Sequence, residues 1–167
     1  NGEGYEVTTF RAESDYKDFR RPEKVVFIRS LYEDLKRRDF TMNAMAMDRT
    51  GRVVDPFNGK EAIRHRQIVT VGKAEERFSE DALRMMRAAR FASQLGFDLE
   101  DGVFTAICRN AGLMQHIAVE RKQNEFEKLI SGRFRKKGLK LLLETGLYIY
   151  LPGLESNEKE LEKMLTI

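Results

Sequence analysis

The sequence predicts an α+β fold in two parts, mixed over residues 1–72 and all-α from residue 73 onward. Three observations carry that prediction. Short β-type runs, Val25-Val26-Phe27-Ile28 and Gln67-Ile68-Val69-Thr70-Val71, fall in the first part. Beyond residue 73 the apolar residues recur at helical spacing instead. Gly96, Gly112, Gly132 and Gly146 punctuate that second part where helices would end. Strands first and helices afterwards is the segregated pattern of an α+β chain.

Taken in order, Tyr5-Glu6-Val7-Thr8-Thr9-Phe10-Arg11 alternates as a strand does. Residues 12–23 are polar, rich in charge and closed by Pro22, with no hydrophobic period, and read as a loop. Val25 to Ile28 is a strand. Ser30 with Glu33 forms a capping box, which opens a helix over residues 31–38. Residues 41–48 return to strand, and Arg49-Thr50-Gly51-Arg52 turns into Val53-Val54. Asp55-Pro56-Phe57-Asn58-Gly59 is a breaker. The strand from Gln67 ends at Gly72. A Ser79 cap starts the best helix, which runs to Leu95 and stops at Gly96. Further helices are expected over 101–110, 119–131 and 134–144, with a last helical pattern from Glu158 to Leu165.

Composition narrows the function classes. The chain has 167 residues, of which 34% are charged, well above the roughly 25% usual for soluble domains. No apolar run approaches the roughly 18 residues that a membrane span needs. The single cysteine, Cys108, excludes an internal disulfide framework and a thiolate zinc cluster. The two histidines, His65 and His116, are far apart. These features predict a soluble protein of a reducing compartment. The net charge of +3 comes from residues 1–138, since residues 139–167 are net acidic. Such an excess permits a polyanionic partner without demanding one. The strand at the start and the helix interrupted at Ile167 read as the middle of a longer chain.

The helix before Gly96 carries the most chemistry. Met85, Ala88, Ala92 and Leu95 fall on one side at about 100° per residue, and should pack inward. Arg84, Arg87 and Arg90 sweep a sector away from that stripe, with Asp81 one turn before Arg84. Two readings stand. In one, the arginines form a solvated face with an Asp81–Arg84 pair worth a few tenths of a kcal/mol. In the other, three guanidiniums exceed what one aspartate can neutralise, which suits a triphosphate or an RNA backbone. Asp81 and Arg84 also place an acceptor beside a donor. Cytosine and adenine each present an amino group next to an unprotonated ring nitrogen, which such a pair can read. Uracil and guanine present the opposite polarity, a buried mismatch of about 1–3 kcal/mol per group.

A second constellation is Arg37-Arg38-Asp39-Phe40-Thr41-Met42-Asn43-Ala44. Basic residues complement the end of a helix. They could equally grip phosphates, with Asp39 fixing one fork. Glu6 is a third candidate: an acid on a strand is usually a solvent-facing residue, but it could join other carboxylates around Mg²⁺. No Asp-x-Asp pair exists in the sequence to complete such a site. Cys108 reads as a small core residue, and neither histidine has a partner in view. Arg133, Arg135, Lys136, Lys137 and Lys140 read as a solvated face that could touch an RNA backbone.

Together these stretches resemble the bacterial (class II) tRNA nucleotidyltransferases, the CCA-adding enzymes, and their relatives the bacterial poly(A) polymerases. Residues 37–44 look like the family's RRDFTxNA motif. Glu80-Asp81-Ala82-Leu83-Arg84-Met85-Met86-Arg87-Ala88-Ala89-Arg90-Phe91 looks like its EDxxRxxRxxRF motif. Residues 5–11 are similar to the strand before the family's flexible loop, and residues 55–59 to its head-to-neck connector. The resemblance implies the C-terminal part of a polymerase-β-like nucleotidyltransferase head over 1–74, an all-α neck over 75–145 and the start of a helical body over 146–167. It implies template-independent addition of CCA to tRNA 3′ ends from CTP and ATP, with Mg²⁺ as cofactor, in the cytoplasm and away from membranes. A homodimer stays open. Asp81 and Arg84 would select the base, and Arg38, Arg87 and Arg90 would contact the nucleotide or its phosphates, supported by Asp39 and Asn43. Glu6 would be the catalytic carboxylate accompanying the metal-binding pair. Residues 12–23 would be the loop needed for the final A. The family's Gly-Gly turn and Asp-x-Asp ligands are absent from these residues, so the chain alone should bind nucleotide weakly and catalyse nothing. A poly(A) polymerase and a non-catalytic nucleotide- or RNA-binding module are the alternatives.

Overall fold

A computed structural model describes residues 7–17, 21–155 and 157–166. The first elements are two antiparallel strands, β1 (Arg11–Lys17) and β2 (Arg21–Phe27), with Arg11 opposite Phe27 and Lys17 opposite Arg21. The loop expected over 12–23 is therefore largely strand. Its polar sequence has no apolar face to betray a strand, but a backbone ladder needs none. The strand expected from Tyr5 is not formed over residues 7–10, and Glu6 lies outside the described residues. Pro22 is tolerated because a two-stranded ribbon has an outer edge where no N–H is required.

Helix α1 (Leu31–Lys36) starts as its cap predicts, with Ser30 Oγ accepting from the Glu33 N–H at 3.3 Å. The strand expected over 41–48 becomes a tight 3-10 turn, Thr41–Asn43, followed by a short β3 (Ala46–Met47). The reason is local. Asp39 accepts from the Phe40 N–H and from Asn43 Nδ2, which wraps the chain around its carboxylate instead of extending it. β3 pairs with β4 (Val53–Val54) across the expected turn, where Asp48 Oδ1 accepts from the Thr50 and Arg52 N–H groups. The breaker at 55–59 also starts a helix that its Pro and Gly concealed. Asp55 caps α2 (Gly59–Arg64), accepting from the Gly59 and Lys60 N–H groups at 2.7 and 2.9 Å.

β5 (Gln67–Ile68) is shorter than expected and pairs in parallel with β6 (Asp98–Leu99), a strand the sequence concealed. Two residues are too few to show a period. The helix expected from Ser79 to Leu95 is two helices, α3 (Ala74–Glu80) and α4 (Leu83–Leu95). Ser79 lies inside α3, where its hydroxyl donates to the Glu75 carbonyl. Asp81 makes the break: its backbone is extended, with φ −141°, and its Oδ1 accepts from the Leu83 N–H at 3.1 Å. Gly96, at φ 73°, closes α4 in the left-handed conformation that glycine adopts without strain. α5 (Asp101–Asn110), α6 (Val119–Ile130), α7 (Arg135–Thr145) and α8 (Glu158–Thr166) follow as expected.

The main apolar cluster gathers around α4, which packs on α6 and α7. It extends from Phe40 and Ile68 in the first part to Leu147, Leu151 and Leu161 near the end. Leu35, Ala44 and Val71 form a smaller cluster. Met85, Ala88 and Ala92 face inward as their spacing requires, but Leu95 is 44% exposed, in a last turn that buries Ala92 and Ser93 instead. Cys108 is exposed rather than in the core, since α5 buries Val103, Ala106 and Ile107 instead. Among the described residues no helix is long and apolar enough to cross a membrane.

The α4–α7 contact depends on small side chains. Ala89 and Ser93 face Gly138, where an added Cβ would stand 3.0 Å from the Ala89 carbonyl oxygen and 2.7 Å from Ser93 Cβ. Intrinsic propensity would make Gly138→Ala stabilising by about 1 kcal/mol within a helix, whereas overpacking costs about 1–3 kcal/mol. The expected outcome is net destabilisation, read as a lower urea midpoint; a higher midpoint would show that the helices separate freely.

Candidate functional site

An open cleft of about 760 Å³ lies where the end of α1, the 3-10 turn and the start of α4 meet. Six arginines and two aspartates line it. The guanidiniums of Arg37, Arg38, Arg84, Arg87 and Arg121 are placed by their neighbours, and the placing starts at Asp34.

Asp34 projects from α1 and is 3% exposed. Its Oδ1 accepts from Arg37 Nη2 at 2.8 Å and from the Arg11 N–H at 3.1 Å, and its Oδ2 accepts from Arg38 Nη2 at 3.3 Å. One buried carboxylate thus aligns two consecutive arginines and ties α1 to the start of β1. Arg37 also donates through Nε to the Arg11 carbonyl, and Arg38 through Nη1 to the Asn43 carbonyl. Burial alone would raise the Asp34 carboxyl; the Arg37 hydrogen bond, the Arg11 N–H and Arg38 outweigh it and hold the group below its ordinary value.

Asp39 does fix a guanidinium fork, but not that of either adjacent arginine. Its Oδ2 accepts from Arg87 Nε at 2.7 Å and Nη2 at 2.6 Å, across 48 residues. Arg84 is almost fully buried. Its Nη1 bonds Glu80 Oε2 at 2.6 Å and the Arg77 carbonyl, and its Nη2 reaches the Arg37 carbonyl. Asp81 pairs with Arg121 of α6, Oδ2 to Nη2 at 2.9 Å. The solvated face with an Asp81–Arg84 pair is thereby replaced by partners from other turns and elements. The uncompensated row is also replaced, because Arg84, Arg87 and Arg90 each meet their own carboxylate.

Arg90 stands apart. It bonds Glu125 of α6 at 2.6 Å and stacks 4.0 Å over the Phe91 ring, and it does not line the cleft. Arg38, Asp39, Asn43, Asp81, Arg84 and Arg87 all do. Among the described residues the lining carries six guanidiniums against two carboxylates, with Asp34 and Glu80 behind it. The planar guanidinium forks suit a bound polyanion. Among the described residues no cluster of three or more His, Cys, Asp or Glu side chains could hold a metal ion, so they do not by themselves form the Mg²⁺ site the resemblance implies.

Sequence reasoning missed Asp34, Glu80 and Arg121. Asp34 lies three and four residues before Arg37 and Arg38, and Glu80 four before Arg84, spacings at which helical side chains meet. Those two were findable. Arg121 lies 40 residues from Asp81, and no local signal marks it.

Asp34→Asn should lower stability by about 1–3 kcal/mol at pH 7, since it leaves charged donors half satisfied. A carboxyl held low in the folded state stabilises above its unfolded value and loses that contribution as pH falls through its folded value. The gap between the parent chain and Asp34→Asn should therefore shrink below about pH 4. Urea titrations at pH 7 and pH 3 check this; an undiminished gap at pH 3 would refute it.

Residues 1–69 match the family model described as the poly A polymerase head domain, and residues 96–157 match that described as a probable RNA and SrmB-binding site of polymerase A. The CCA-adding enzyme of Geobacillus sp. (strain WCH70) is 61% identical over 162 residues, 97% of this chain and 40% of that protein. That of Geobacillus stearothermophilus is 62% identical over 160 residues, 96% of this chain and 40% of that protein. This chain thus spans about 40% of the length of these curated relatives. Among solved structures, the Bacillus stearothermophilus CCA-adding enzyme in complex with CTP superposes with a TM-score of 0.88 at 57% identity, covering 98% of this chain and 39% of that one. A tRNA nucleotidyltransferase complexed with a primer tRNA and an incoming ATP analog gives 0.71 at 32% identity, over 80% of this chain and 41% of that one. The α+β first part and the helices after it are the nucleotidyltransferase head and helical neck of that fold. The chain belongs to the tRNA nucleotidyltransferase and poly(A) polymerase family.

Proposed function

We propose that this chain is the nucleotide-selecting part of a CCA-adding enzyme, which extends tRNA 3′ ends in the cytoplasm from CTP and ATP. The observation that carries the reading is that Asp81 and Arg84 line the same cleft as an excess of guanidiniums. A base and a triphosphate can therefore be held together. Residues 1–74 would act as head, 75–145 as neck and 146–167 as the start of the body.

In the reaction the tRNA 3′-hydroxyl oxygen bonds to the α-phosphorus, the bond to the bridging oxygen breaks, pyrophosphate leaves and the hydroxyl proton is released. Mg²⁺, when bound, would orient the triphosphate and neutralise its charge. Glu6 would accompany the residues that hold it. Arg38 and Arg87, steadied by Asn43 and Asp39, would meet the phosphates. Arg90 would act through the placement of Phe91 and α6. Arg84, held by Glu80 and two carbonyls, would donate to the ring nitrogen of cytosine or adenine. Asp81 would accept from the amino group. Uracil and guanine would set a carbonyl against that carboxylate, and this polarity mismatch is what rejects them.

The test uses the full-length protein that carries this chain, a tRNA ending before CCA, Mg²⁺ and each labelled nucleoside triphosphate. Two C followed by one A, without U or G, is the expected product. Asp81→Ala should reduce discrimination against U and G about tenfold to a hundredfold, with a smaller effect on triphosphate affinity. Long A tails without C would assign a poly(A) polymerase, the reading that the head-domain match also accommodates. No incorporation would leave a binding module and overturn the proposal.

A further inference from the structure

Asp81 sits at the break between α3 and α4, outside any helix, where backbone geometry alone does not fix the direction of its side chain. Two bonds fix it. The Leu83 N–H donates to Oδ1 at 3.1 Å, and Arg121 Nη2 donates to Oδ2 at 2.9 Å. The first is local and would survive a swing of the carboxylate about that oxygen. The second comes from a different helix and sets the plane.

Arg121 is well placed to do this. It lies in the first turn of α6, which packs along α4, and the next turn of α6 is tied to α4 by the Glu125–Arg90 pair at 2.6 Å. Its stem therefore moves with the helix that carries Arg84. Arg121 Nη1 is buried and has no hydrogen-bond partner among the described residues. An unmet buried donor costs about 1–3 kcal/mol, so the side chain is not arranged for stability alone. The nitrogen that does bond is given to Asp81.

We infer that Arg121 is a positioning residue for base selection: it orients the Asp81 carboxylate so that the remaining lone pairs face the base. This rests on the proposal that Asp81 reads the base. A carboxylate oxygen accepts two hydrogen bonds, so the Arg121 contact leaves acceptor capacity on both oxygens for an amino group. Without Arg121 the carboxylate can turn, and a carbonyl in place of the amino group is no longer opposed by a fixed lone pair.

The experiment measures kcat and KM for CTP, ATP, UTP and GTP on the full-length protein with its tRNA, comparing Arg121→Met, Arg121→Lys and Asp81→Ala. Met keeps the stem and removes the donors; Lys keeps one donor. In Arg121→Met, kcat/KM for UTP relative to CTP, and for GTP relative to ATP, should rise about tenfold, a change of base choice that a merely structural role would not produce. Arg121→Lys should recover most of the discrimination. Unchanged discrimination in Arg121→Met, an equal loss for all four nucleotides, or no recovery with Lys would each overturn the inference. If Asp81→Ala also leaves base choice intact, the base-reading proposal has failed. If Asp81→Ala blurs base choice and Arg121→Met does not, only the role of Arg121 has failed.

Discussion

Guanidinium–carboxylate pairing across elements holds the cleft in shape. Helix α4 presents an arginine every third residue, and each meets a carboxylate from somewhere else: Glu80 at the end of α3, Asp39 beyond α1, and Glu125 on α6. These three bonds join α4 to the helix before it, to the head and to the helix packed alongside. Buried ion pairs often add little net stability, because desolvation offsets the attraction. Removing one partner is costly, however, and a fork accepts few geometries. The pairs therefore specify orientation more than they strengthen the fold. Loss of Glu80 would leave the Arg84 guanidinium buried at the cleft wall, and loss of Arg90 would leave the Glu125 carboxylate buried on α6.

The same helix is also the centre of the core, and the two duties fit because they use different sides. Ala88, Ala89, Ala92 and Ser93 keep one side narrow enough for α7 to approach through Gly138. Met85 and Met86 fill the volume nearer the cleft. A close-packed interior transmits little slack, so the arginines on the opposite side sit on a rigid support. Asp81 is the exception. It lies off the end of α4, and it is the group whose direction depends on a partner from α6.

Much of the helical part was legible because its signals are local. Ser30 with Glu33, Gly96 and Gly146 mark helix ends through hydrogen bonds and backbone angles set within a few residues. The elements that were not legible lack such signals or carry misleading ones. The β1–β2 ladder is built from polar residues with no apolar period. Asp39 and Asn43 bend a stretch whose apolar residues read as strand. Asp55 caps a helix behind a proline and a glycine that read as punctuation. Asp81 interrupts what periodicity alone joins, because a side-chain carboxylate capping the Leu83 N–H leaves no trace in the spacing of apolar residues.

By itself the sequence determined the α+β order, the helices around Gly96, Gly132 and Gly146, and the two motifs that supply both aspartates and four of the six arginines of the cleft. Those follow from interactions within one or two turns of chain. The tertiary structure alone decided which carboxylate meets which arginine. Asp39 reaches Arg87 across 48 residues, and Asp81 reaches Arg121 across 40. It also set Arg90 outside the cleft, although its spacing from Arg87 matches that of Arg87 from Arg84. Spacing places a residue on a face of a helix, but what that face meets depends on how the elements pack.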